Sequence, residues 1–218
     1  GQGRDSRWQL TDTSARVTES TSGLTLTPGA QGIAALLQAA QPAPGALTVK
    51  LTLPRHALAS SNTRAGLALY LDDGDWLTLL VGQGGAAQLC AMAWQQPTYC
   101  VTQKLTITAG GSIYLRLTRT PTLPATFAAT ASGDGQTWTT IGAWTPSWPG
   151  PTKATATPSP STHTPTATVT TTPANGVPGS TDGAVAPLAF TSWGILTEGP
   201  MTSANAPTFT GFTYTSLQ

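Results

Sequence analysis

The sequence predicts an all-β protein: a sandwich of two antiparallel sheets carrying a long Thr/Pro-rich insertion. Three observations carry this. Strand-length segments alternate apolar residues with Thr, strong turn signals separate them, and no stretch sustains helical periodicity.

The alternation is explicit. Leu24-Thr25-Leu26-Thr27, the run from Leu47 to Leu53, Leu105-Thr106-Ile107-Thr108 and the run from Ile113 to Thr118 all repeat with period two. Leu, Ile and Val on one face supply a core, and the Thr positions face water while favouring strand by β-branching. Two runs, Ala65 to Leu71 and Trp76 to Val81, are apolar on both faces. Such strands belong in the middle of a sheet, covered on both sides. Asp72-Asp73-Gly74-Asp75 between them is a hairpin turn, and its carboxylates read as a solvated turn tip. A surface calcium site is the minor alternative there. Ala30 to Ala40 is open to helix or strand; as a strand, Ala34 to Gln38 would edge a sheet.

From Pro149 to about Pro187 the character changes to Thr/Pro and then Gly-rich sequence with almost no large apolar side chain. Such a segment cannot bury a core and favours extended conformations. Strand patterns resume at Leu188–Leu196 and Thr208–Tyr214. Two strands are too few for a domain. The expected organisation is therefore one domain over 1–218, with 149–187 inserted between strands and 188–217 completing the sandwich. The tract is typical of O-glycan carriers, with Thr155, Thr157, Ser159, Ser161, Thr162, Thr164, Thr166 and Thr168 as candidate acceptors. No Asn-x-Ser/Thr sequon occurs.

Composition narrows the function. The net charge is +1 and only 9% of residues are charged, so the basic footprint of a nucleic-acid binder is missing. No apolar run reaches the roughly 20 residues of a membrane span, so no membrane insertion is expected. The start at Gly1 reads as a mature or trimmed product. Cys90 and Cys100 flank a turn-like stretch holding Pro97 and Thr98. A hairpin there would bring the sulfurs within bridging range, and a bridge implies an oxidising compartment; two unrelated buried thiols are the other reading. Their spacing is not that of a metal or CxxC redox motif.

The order of motifs resembles a known family. Arg7-Trp8-Gln9-Leu10-Thr11, the hairpin Ala65–Tyr70 with Trp76–Leu79, Ile113–Leu117, the Ser132-Gly133-Asp134-Gly135-Gln136-Thr137-Trp138 hairpin, Trp193-Gly194-Ile195 and Phe209–Tyr214 are similar, in sequence, to the β-sandwich attached to family-43 glycoside hydrolases. Related concanavalin A-like and laminin G-like domains share the pattern. The resemblance implies a jelly roll of two antiparallel sheets. Thr210 and Gly211 stand where that family often carries an Asp that helps bind a structural calcium, so no metal or cofactor is expected. The hydrolase propeller with its catalytic carboxylates has no counterpart in these 218 residues.

Chemistry is sparse. Glycoside hydrolysis needs two carboxylates facing across a cleft, and a hydrolytic triad needs a base. There are nine Asp and Glu in all, and the two histidines, His56 and His163, fall on a strand end and in the Thr/Pro tract. No enzyme is expected. Asp134 reads as a turn former with Trp138 packed beneath, ligand contact being the alternative. The remaining lead is aromatic. Trp94, Tyr99, Trp144 and Trp148, together with Trp193, are either sugar-stacking faces or core. The expected function is a non-catalytic extracellular or cell-surface recognition or adhesion module for a glycan or protein partner. The alternative is a self-associating subunit of an extracellular filament or surface layer, its tract on neighbouring subunits. A receptor ectodomain is a third.

Overall fold

The computed structural model describes residues 8–30, 32–39, 44–52, 63–72, 75–93, 96–105, 111–122, 124–146, 190–202 and 205–216. They form fourteen strands: β1 Trp8–Leu10, β2 Arg16–Ser20, β3 Gly23–Thr27, β4 Ile33–Ala39, β5 Gly45–Thr52, β6 Arg64–Asp72, β7 Asp75–Val81, β8 Ala86–Ala93, β9 Gln96–Lys104, β10 Ser112–Arg119, β11 Phe127–Ser132, β12 Thr139–Trp144, β13 Ser192–Glu198 and β14 Thr208–Ser216. No α-helix occurs among the described residues. The strands make two seven-stranded antiparallel sheets. The first runs β1-β4-β13-β6-β7-β8-β9, the second β12-β11-β10-β5-β14-β3-β2.

The period-two segments behave as their pattern requires. In β5, Leu47, Val49 and Leu51 are buried while Thr48, Lys50 and Thr52 face out. β10 does the same with Ile113, Leu115 and Leu117 against Tyr114, Arg116 and Thr118. On the outside of the second sheet the register aligns Ser112, Thr52, Thr208, Thr25 and Thr18 across five adjacent strands. That hydroxyl row is how a surface with so few charges is wetted. The two-faced apolar strands β6 and β7 lie in the interior of the first sheet, with Leu67, Leu69, Leu77 and Leu79 turned to the core. β13 sits between β4 and β6, and β14 between β5 and β3.

Three expectations are corrected. Ala30 to Ala40 holds a strand, β4, but not an edge strand, because β1 pairs outside it through Trp8↔Gln38 and Leu10↔Leu36. Pro97 and Thr98 are not turn residues. They lie in β9, an edge strand, where a residue lacking an N–H leaves no interior ladder bond unmade. Asp75 is no solvated turn residue: it opens β7 and is buried. The Trp138 ring lies 3.6 Å under the Arg116 guanidinium. The segment 106–108, read as strand, lies outside the described residues.

Candidate functional site

The outer face of the first sheet is unlike that of the second. Directly opposed residues on antiparallel strands share a face, so the register gives this one row by row. Arg64 and Glu198 oppose each other across β6 and β13. Next along come Gly66, Leu80, Leu196, Ala35 and Gln88, then Ala68, Thr78, Gly194, Leu37 and Cys90, then Tyr70, Trp76, Ser192 and Met92. The middle rows are a buried apolar floor of Ala35, Leu37, Ala68, Leu80 and Leu196, with Tyr70 and Trp76 packed against it.

A groove of about 680 Å³ reaches Leu80 and Leu196 of that cluster, bounded by Thr11 and Ile33 beside Arg64 and Glu198, and by Trp76, Cys90 and Met92 at the far end. Its size falls in the range of small-molecule and oligomer sites. At the polar end, Arg64 donates from Nη1 to Gln88 Oε1 at 2.7 Å and from Nη2 to Glu198 Oε1 at 3.1 Å. Gln88 donates onward to Thr102 Oγ1 at 3.1 Å. The Arg64 head is thereby fixed between two acceptors from β8 and β13. At the other end the Tyr70 and Trp76 rings meet at 4.5 Å in a T-shaped pair, which holds the half-buried indole in place. The groove thus offers the half-buried Trp76 ring at one end and a fixed donor–acceptor cluster at the other. Among the described residues, no group of three or more His, Cys, Asp or Glu is placed to hold a metal.

Of the residues singled out from sequence, Tyr99, Trp144 and Trp193 lie elsewhere. Tyr99 is half-buried on β9 and donates its hydroxyl to the Ala143 carbonyl at 3.0 Å, tying β9 to β12 across the two sheets. Trp144 is only 7% exposed and packs on Phe127 and Phe190, at 6.0 and 6.5 Å, so it is core and no binding face. The reason is its strand position, since Trp144 opposes Phe127 across β11 and β12 on the inner face. Trp193 stacks on Phe212 at 5.0 Å beside Trp8, filling one end between the sheets. Trp94, Trp148, His56, His163 and the tract acceptors from Thr155 to Thr168 lie outside the described residues. Cys90 and Cys100 form a disulfide across β8 and β9, and Cys90 lines the groove.

The Ser132–Trp138 segment is a structural turn. Asp134 Oδ1 accepts from the N–H groups of Thr137 and Gln136, both at 2.7 Å, and from the Ser132 hydroxyl at 2.8 Å. These donors, the Thr137 N–H first, hold the Asp134 carboxyl far below the ordinary carboxylate range. Gly135, at φ 78°, supplies the left-handed residue the turn needs. A second carboxylate knot was not foreseen. Asp12 accepts from the Ser14 hydroxyl at 2.6 Å and N–H at 2.8 Å, and from the Gly29 N–H at 3.1 Å, which lowers its pKa. It joins the loops after β1 and β3.

Sequence reasoning missed Arg64, Tyr70, Trp76, Gln88 and Glu198 as a group. Trp76 and Thr78 do share a face opposite Leu77 and Leu79, which was a readable signal for an aromatic on the outer side. The Arg64–Glu198 contact spans 134 positions, and nothing local announces it.

No protein-family model matches the chain, and no curated protein matches it. Solved structures do. The carbohydrate-binding module CBM66 from Bacillus subtilis is 9% identical over 96% of this chain and 96% of its own, with a TM-score of 0.56. A functionally unknown protein from Saccharomyces cerevisiae is 14% identical over 98% of both chains, with a TM-score of 0.54. The Bacteroides ovatus Xyloglucan PUL GH43B chain is 13% identical, with 99% of this chain covering 40% of that one at a TM-score of 0.49, a likeness too loose to build on. At such identities the relationship is one of fold: the chain is a two-sheet antiparallel β-sandwich of the architecture found in a carbohydrate-binding module and in a yeast protein of unknown function.

Proposed function

We propose that this chain is a non-catalytic, extracellular glycan-recognition module whose site is the groove on the outer face of the first sheet. The observation that carries the reading is the pairing, in one groove, of the half-buried Trp76 indole with the Arg64–Gln88–Glu198 cluster. A sugar ring has an apolar C–H face that suits an aromatic surface and a rim of hydroxyls that suits fixed donors and acceptors. Few ligand classes need both. The fold shared with CBM66 supports the same reading. The disulfide supports an oxidising, extracellular compartment.

The non-catalytic part rests on the groove's carboxylate inventory. Among the described residues lining it there is one, Glu198, and that one is paired to Arg64. Hydrolysis of a glycosidic bond draws on two carboxyl groups across the scissile bond.

The test is retention on a panel of soluble and insoluble polysaccharides, scored for wild type and Trp76→Ala. Wild type is expected to be retarded by at least one polysaccharide, with Trp76→Ala weakened tenfold or more, about 1.4 kcal/mol. Retention unchanged by Trp76→Ala removes the groove from the account. Release of reducing sugar from the retained glycan overturns the non-catalytic assignment.

A further inference from the structure

Resting on the glycan-binding reading just given, we propose that the ligand is a linear, electrically neutral glycan lying along the strands of the first sheet, and that the Arg64–Glu198 pair sets that specificity. The groove has two unlike ends on the same strand. Arg64 opens β6 and Tyr70 lies six residues along it, which at about 3.4 Å per residue separates the polar and aromatic ends by about 20 Å. A single sugar ring meets only one end. A chain running parallel to β6 and β13 meets both, a ring against the half-buried Trp76 at one end and its hydroxyls at the polar cluster at the other.

Charge decides the ligand class. Of the described residues lining the groove, the charged ones are Arg64 and Glu198, and they neutralise each other. Arg64 is already committed to Gln88 and Glu198, and its Nε is buried without a hydrogen-bond partner. Little of that cation is left for an incoming anion. Glu198 uses Oε1 on Arg64, and its Oε2 has no partner among the described residues. That oxygen is a ready acceptor for a sugar hydroxyl, and it repels a uronate or sulfate brought to the same place. A neutral polyhydroxylated chain satisfies the cluster and brings no charge that lacks a counter-ion there.

Calorimetric titration of the intact chain tests this with two sets of probes: neutral oligosaccharides from disaccharide to octasaccharide, and oligosaccharides of similar length built from uronic acids. Affinity is expected to climb with neutral chain length and level off once about 20 Å is spanned. Raising salt from about 0.05 M to 0.5 M is expected to change Kd less than twofold, since screening has no net ligand charge to act on. Glu198→Gln is expected to weaken neutral binding severalfold and to narrow the gap between neutral and uronic probes, a change that loss of packing alone does not produce. The length and salt series use wild type, so they stand even where the variant folds poorly. Tighter, salt-sensitive binding of the uronic series overturns the charge assignment while leaving the groove as the site. A disaccharide binding as tightly as an octasaccharide overturns the extended pose. Binding of neither series overturns this proposal together with the reading beneath it.

Discussion

At the scale of single residues, the chain uses its few carboxylates as structural knots. Asp134 is held ionised by the Thr137 and Gln136 N–H groups and the Ser132 hydroxyl. A carboxyl whose folded pKa lies below its unfolded value stabilises the fold above the unfolded pKa, near the ordinary 3.8, and that contribution disappears as pH falls. The melting temperature of Asp134→Ala should therefore lie below that of wild type at pH 7, and the gap should narrow steadily as the pH falls from about 4 towards 2. A gap that stays constant across that range would show that the turn does not depend on the ionised carboxyl. Asp134 was legible in the sequence because its partners are two and three residues away. The groove residues were not, because Arg64 meets Gln88 and Glu198 only through strand pairings across 24 and 134 positions. Trp144 misled for a related reason. Nothing in the local sequence says which side of β12 faces Phe127 and Phe190.

At the scale of elements, the seam between β9 and β12 closes one side of the sandwich. Tyr99 reaches the Ala143 carbonyl, and a Cβ on Gly142 would collide with the Val101 side chain, so only glycine lets these edges approach. Gly142→Ala should destabilise the fold by about 1–3 kcal/mol, the usual cost of overpacking a tight contact. A denaturant midpoint unchanged from wild type would show that the seam opens freely. On the same edge, the Cys90–Cys100 bridge closes a loop whose ends are 10 residues apart. Replacing both cysteines by serine should cost about 2–3 kcal/mol by loop entropy, read from urea unfolding. Binding should weaken too, since Cys90 lines the groove. The strands themselves were the most readable part of the sequence. Alternation in β5 and β10 and the two-sided apolar runs of β6 and β7 follow directly from what each face touches. The edge role given to β4 failed because three residues, Trp8–Leu10, were too short to register as a strand.

At the scale of the whole molecule, the account turns on how β13 and β14 are used. Each lies in the interior of a sheet, although 47 positions separate the last residue of β12, Trp144, from the first described strand residue of β13, Ser192. A chain ending at Pro146 should not fold, because β6 would lose its partner β13 and β5 its partner β14. Replacing 149–187 by a Gly/Ser segment of equal length should leave the unfolding transition within about 1 kcal/mol of wild type, as expected for a stretch with too little apolar surface to contribute a core. Cooperative unfolding of the truncated chain would contradict the first expectation, and collapse of the replaced chain the second. The two outer faces then divide the surface. The second sheet presents its Thr and Ser row with Lys50 over Tyr114 and Arg116 over Trp138. The first presents the groove. The most direct measurement of the central claim is NMR mapping of the intact chain during titration with a neutral oligosaccharide from the retained polysaccharide. The account predicts shifts concentrated at the Trp76 indole N–H and at Thr78, Leu80, Gln88, Cys90 and Leu196, with the second sheet still. Shifts centred on Tyr114, Arg116 and Trp138, with Trp76 unmoved, would contradict it.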